Sequence, residues 1–157
     1  MKDKTTLLTM LKVELSEINA TVNQNLQTIT ENLKLLKEQK EVLRPLLLFN
    51  TDAWAAAKLR NNSFLDTTAD LFKFLNLYTV INIANEGIKY RENYRVSNQG
   101  MFDYGSKLEK IDEDIKIKLE KIRPLLQNAQ AALYVIQIDK VNGRSFSIDS
   151  TGFVIDK

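Results

Sequence analysis

Apolar residues recur along the first part of the chain at Leu8, Leu11, Leu15, Ile18, Val22, Leu26, Ile29, Leu33, Leu36 and Leu43, mostly in steps of three and four. Such steps gather side chains on one face of an α-helix. Neither Gly nor Pro interrupts residues 5–43, so the pattern predicts a single helix of about 35 residues, against a usual length of ~12. Thr5 or Thr6 can cap its start. The succession 22, 26, 29, 33 holds an extra four-residue step, a stutter that would locally unwind a coiled coil. Asn19, Asn23, Gln24, Gln27, Thr30 and Glu31 form the opposite, solvated face.

Pro45 is expected to end this helix, because the residue before a proline is pushed out of the α region. Asn50 or Thr51 then caps a short helix in "TDAWAAAKLR", with Asp52 placed to complement the helix dipole. "NNS" at 61–63 reads as a turn. Thr67 with Asp70 forms a capping box that opens a third helix running to about Tyr94, with Leu71, Leu75, Tyr78, Ile81 and Ile88 at core spacing. "SNQGMFDYGS" is a loop, and Ser106 with Glu109 makes a second capping box. The stripe Leu108, Ile111, Ile115, Leu119, Ile122 marks a fourth helix, which Pro124 kinks rather than stops, since apolar periodicity continues to about Ile136. The tail alternates instead, and Asn142-Gly143 and Ser150-Thr151-Gly152 are turn signals, so a small β-hairpin or an irregular tail is expected.

These elements predict a mostly α fold: an antiparallel bundle of long helices over residues 1–138, followed by a tail over 139–157. The strings "LRPLL" and "IRPLL" around Pro45 and Pro124 hint at a duplicated module. Outside the apolar stripe the two stretches disagree, with Glu38 aligned to Ile117 and Leu33 to Asp112. The prolines are therefore read as helix punctuation.

Composition narrows the chemistry. The chain has 157 residues, a net charge of +2 and no histidine or cysteine. Its twenty-two basic residues are balanced by twenty acidic ones, which offers no case for a polyanion binder. Without histidine or cysteine there is no Ser-His-Asp triad, thiolate nucleophile, disulfide or His-liganded zinc site. No run of about 20 apolar residues marks a membrane span.

Chemistry would have to rest on carboxylates, lysines and tyrosines. Glu109, Asp112, Glu113 and Asp114 form the densest acidic run, and the i,i+4 pair Asp112–Lys116 makes it read as a solvated helix face. Asp103 with "DIK" at 114–116 imitates an acidic-x-Lys metal motif, but that motif belongs on strands and this one lies on a helix. In "NIANEGIKYRENYR", helical spacing sets Asn82, Glu86, Lys89 and Asn93 on one side, with Arg91 and Arg95 adjacent. Glu86 framed by Lys89 and Arg91 could hold Mg²⁺ or Mn²⁺ and act on a nucleic-acid phosphodiester. The plainer reading is a polar surface near a helix end, where basic residues suit the dipole. Trp54, the lone tryptophan, is expected to be a buried anchor for the short helix.

The stretch "FNTDAWAAAKLRNNSFLD" followed by "LFKFLNLYTVINIANEGI" resembles a loose group of prokaryotic proteins in which a soluble helical domain follows one or two membrane spans. The pattern is Thr-x-Ala-Trp, a small-residue helix, a turn and a Leu-rich helix with a Tyr and a following Asn, matched by Thr51, Ala53, Trp54, Leu75, Tyr78 and Asn82 or Asn85. The resemblance implies a soluble portion of a membrane-associated protein and brings no activity with it. This chain lacks the span, so anchoring is expected only if an N-terminal span was removed.

The expected function is thus a non-enzymatic helical interaction domain, cytoplasmic or anchored there, with no cofactor. A metal-dependent nuclease acting through Glu86, Lys89 and Arg91 is the alternative. The first helix would span about 50 Å at 1.5 Å per residue, more than its neighbours are expected to cover. Its uncovered part would pair with a second copy or another protein, with Ile18 and Val22 at the centre, and Trp54 is grouped with them as a contact residue.

Overall fold

A computed structural model describes residues 4–40, 44–59, 68–142, 146–148 and 154–156. Among the described residues, four helices carry the fold: α1 (Lys4–Lys37), α2 (Asp52–Leu59), α3 (Thr68–Asn98) and α4 (Tyr104–Asn142). The chain is mostly helical, as its periodicity predicts. Beyond α4, the short strands β1 (Phe146–Ile148) and β2 (Val154–Asp156) lie antiparallel, Ser147 opposite Ile155. The turns expected at Asn142-Gly143 and Ser150–Gly152 fall largely outside the described residues, as do Thr67 of the first capping box and "NNS" at 61–63.

Helix α4 is the centre. It runs antiparallel to α1, with the Arg123 guanidinium donating to Asn23 Oδ1 at 2.8 Å and Leu15 lying beside Leu133. It also runs antiparallel to α3, with Arg91 on Asp112. α1 and α3 therefore run parallel on either side of it. Pro124 lies inside α4, which continues for another turn and more past it, whereas Pro45 sits in a non-helical segment. The two similar strings occupy unlike structures, which speaks against duplication; neither proline punctuates a helix as expected, since Pro124 lies within α4 and α1 ends before Pro45.

Helix α1 stops at Lys37, short of the expected Leu43. Gln39 adopts a left-handed conformation at φ 58. The Lys40 N–H donates to the Leu35 carbonyl at 2.8 Å and the Gln39 N–H to the Leu36 carbonyl at 3.1 Å. These are the two bonds of a Schellman cap. It closes the helix without the usual glycine, which is why the sequence reads on through it. Helix α4 begins at Tyr104, and Asp103 precedes it, its carbonyl accepting from the Lys107 N–H at 3.0 Å. Ser106 therefore lies within the first turn and is not the cap.

The buried stripe of α1 is Leu11, Leu15, Ile18, Val22, Asn25, Ile29 and Asn32. Its steps alternate four and three throughout, so the apparent stutter vanishes: Asn25 takes the core position and Leu26 lies at its margin. Ile18 and Val22 are enclosed by the chain's own core. They cannot centre a contact between folded copies. The expectation of an uncovered α1 fails because its apolar stripe from Leu8 to Leu33 is buried within the chain, Leu26 only in part.

The space between α1 and α3 is filled by residues 44–50 and by α2. Asn25 on α1 grips Leu47 through two bonds, accepting from its N–H at 2.8 Å and donating to its carbonyl at 2.8 Å. Asn85 on α3 does the same to Phe49, at 2.7 and 3.0 Å. Asn32 donates to the Arg44 carbonyl at 3.2 Å. The Asn25 and Asn85 amides each donate and accept, and so satisfy both backbone groups of a residue that has no strand beside it.

Helix α2 is tied down by Glu14 from α1. Its carboxylate accepts from the Ala53 N–H at 2.7 Å, the Trp54 N–H at 3.1 Å and the Tyr78 hydroxyl at 2.6 Å. The first N–H groups of a helix have no partner within it, and this distant side chain supplies one. Asn50 adds a bond from the Asp52 N–H at 3.0 Å. Trp54 is buried, stacked on Tyr78 at 4.9 Å and on Phe74 at 5.6 Å. That is the anchoring role its sequence context predicts.

Candidate functional site

A second buried polar contact, besides that of Glu14, joins α3 to α4. Arg91 and Asp112, 1% and 0% exposed, are paired at 2.5 and 3.3 Å. Burial pushes the Asp112 carboxyl above its ordinary value, although Arg91 opposes the shift. Burial likewise raises Glu14 against its three hydrogen bonds, and it raises the Tyr78 hydroxyl. Asp112 was expected on a solvated face beside Lys116; it lies instead in the stripe Leu108, Asp112, Ile115, Leu119. The Arg91 Nη1 and Asn32 Oδ1 atoms are buried without a hydrogen-bond partner among the described residues.

The expected group Glu86, Lys89 and Arg91 is divided by the bundle. Glu86 and Lys89 meet on the surface at 3.3 Å, with the Glu86 side chain 75% exposed. Arg91 faces inward and serves Asp112. Its guanidinium is out of reach of a phosphate at Glu86. Asp103 is held by Lys107 at 2.8 Å and Asp114 by Lys118 at 2.7 Å, so the acidic-x-Lys imitation forms separate surface ion pairs. Among the described residues no three carboxylates converge in a way that could hold a metal ion.

Glu86 does line a feature of the surface. A groove of about 620 Å³ runs between α3 and α4. Ile83, Gly87 and Tyr90 form its α3 side and Ile111 and Ile115 its α4 side, while Lys110, Asp114 and Lys118 stand at its rim. A methyl group on Gly87 would lie 3.6 Å from both Ile115 and Lys118, which is ordinary contact. The absence of that methyl therefore widens the groove and is not demanded by the backbone.

The groove belongs to a longer strip. Helix α3 buries Phe74, Leu77, Tyr78, Ile81, Ala84 and Ile88 on its inner face. On its outer face Phe72 is 56%, Ile83 49% and Tyr90 60% exposed. These three lie within about 20° of one another around the axis and along about 27 Å of it, given 3.6 residues per turn and 1.5 Å per residue. Sequence reading found only the inner stripe. The signal for the outer one was the poor amphipathicity of α3, which is apolar on two sides.

Other large exposed apolar residues include Val13 at 53%, the adjacent Leu47 and Leu48 in the segment before α2, and Met101 and Phe102 in the α3–α4 turn. Tyr104 stacks on Tyr94 at 5.9 Å and fixes that turn to α3. No described helix is long and apolar enough to cross a membrane. No protein-family model, curated protein or solved structure matches this chain.

Proposed function

We propose that this chain is a non-enzymatic helical interaction domain that binds a protein partner through the outer face of α3. The observation that supports it is the second apolar stripe, Phe72, Ile83 and Tyr90, on a helix whose first stripe already satisfies the core. Single exposed apolar residues are normal on a protein surface, but aligned ones beside a groove mark contact sites. The buried groups with unusual electrostatics, Glu14, Tyr78 and Asp112, are engaged in holding elements together. In this reading the long helices pack as a short coiled coil, the tail closes as a β-hairpin, and the domain works in the cytoplasm. The test is a photo-crosslinking side chain placed at Ile83 in cells making the chain, with Val13 as the matched exposed control. A discrete crosslinked adduct from position 83 alone supports the reading. Equal or absent crosslinking at both positions defeats it.

A hydrolase at the same groove is the second reading, favoured by the two carboxylates Glu86 and Asp114 along one wall and rim. Linear DNA incubated with Mg²⁺ or Mn²⁺ decides it. Cleavage that Glu86→Ala abolishes supports it, and intact DNA defeats it.

A further inference from the structure

The outer stripe of α3 is complementary to itself, and we infer that its partner is a second copy of this chain, packed antiparallel about a two-fold axis beside Val80 and Asn82. The inference rests on the interaction reading above and names the occupant of its surface.

The full stripe is Phe72, Asn76, Thr79, Ile83, Glu86 and Tyr90. Its steps of four, three, four, three and four are the seam spacing of a two-helix coiled coil. A two-fold axis at its midpoint reverses the order, so one patch must fit itself. Phe72 then meets the partner's Tyr90, ring against ring at both ends of the seam. Thr79 meets the partner's Ile83. Asn76 meets the partner's Glu86 and offers an amide donor to its carboxylate. Glu86 is the only charged residue in the stripe. A parallel pairing would set Glu86 against the partner's Glu86, and like charges at a seam repel. The antiparallel pairing removes that clash.

Shape supports the same choice. The antiparallel register brings the partner's Phe72 level with Gly87 and Tyr90, where the groove against α4 is open. Each copy therefore presents a protruding ring and the hollow that receives it. A seam about 27 Å long covers on the order of 600 Å² per copy, below the ~800 Å² of a standard interface. An interface of that size belongs with weak, transient contacts, so the dimer is to be sought at high protein concentration.

Sedimentation velocity of the full chain across the micromolar range tests this directly. The expected result is a monomer–dimer equilibrium that Phe72→Ala and Ile83→Glu each weaken at least tenfold. Both positions are exposed in the monomer, so Trp54 fluorescence and the melting temperature should stay unchanged and report that the fold is intact. The chain has no cysteine, so Asn82→Cys beside the axis should oxidise to a covalent dimer while Val13→Cys should not. A chain that stays monomeric throughout, or a dimer indifferent to Phe72 and Ile83, overturns the second-copy inference. In either case a crosslink from Ile83 to a different protein in cells would leave the interaction reading standing, and its absence would remove both.

Discussion

Replacing Glu14 with alanine should cost about 3–5 kcal/mol, because one side chain closes three contacts at a buried junction. The Ala53 N–H, the Trp54 N–H and the Tyr78 hydroxyl all donate to this carboxylate. A buried donor left unpaired costs ~1–3 kcal/mol, and two of these belong to the first turn of α2, which cannot satisfy them itself. Relief of the buried carboxylate's desolvation offsets part of the loss, which holds the total below the sum of three such penalties. For a domain of this size each kcal/mol moves the melting temperature by ~2–4 °C, so the expected drop is roughly 6–20 °C. Urea unfolding followed by Trp54 fluorescence measures it, and the emission of the folded variant should shift to the red as α2 loosens from Tyr78 and Phe74. Tyr78→Phe alone removes one bond and should cost only ~1 kcal/mol. In the Glu14→Ala background that cost should largely disappear, since the acceptor is already gone. A loss below ~1 kcal/mol for Glu14→Ala, or full additivity with Tyr78→Phe, would refute the claim that Glu14 holds α2 in place.

Gln39→Gly should stabilise the chain by about 1 kcal/mol, since glycine adopts the left-handed conformation at φ 58 without the side-chain penalty; thermal melts would show a small rise. Asp112→Ala should cost about 3–5 kcal/mol by stranding the Arg91 guanidinium, whereas the double change Arg91→Met with Asp112→Leu should recover most of that loss in the same melts. Glu14 titrates above its ordinary value of 4.5 in the folded chain, because burial outweighs its hydrogen bonds. Its folded form thus holds its proton more tightly than the unfolded form, so its contribution is complete below the ordinary value and is lost as pH rises through the raised one. Urea midpoints should therefore rise on mild acidification from neutral pH, and Glu14→Gln should flatten that slope.

How far the fold could be read from the sequence depended on where the determining contact lay. Helix α4 was legible across Pro124 because apolar periodicity alone carried it past the proline. The end of α1 was not, since Gln39 takes a position that usually calls for glycine and nothing in its type signals that. The largest gap was the polar core. Asn25, Asn32, Arg91 and Asp112 all sit at core-stripe spacing, but a search for apolar residues passes over them and invents a stutter at Leu26. Their partners lie far away in sequence, 21 positions for Arg91 with Asp112 and 22 for Asn25 with Leu47. Spacing can show that a polar residue faces inward, but not which group meets it. For the candidate surface, Glu86 and Lys89 were found, whereas Phe72, Ile83 and Tyr90 escaped because a second apolar stripe blurs the first.

The most direct test of the interaction reading compares two single-cysteine variants, Ile83→Cys and Val13→Cys, whose native side chains are 49% and 53% exposed. With equal exposure in the isolated chain, the two thiols should react with a maleimide at similar rates when the purified protein is dilute. In intact cells, the α3 position should react several-fold more slowly than the α1 position, because a partner covers it. Equal rates in both settings would contradict the reading and leave the outer face of α3 without an occupant.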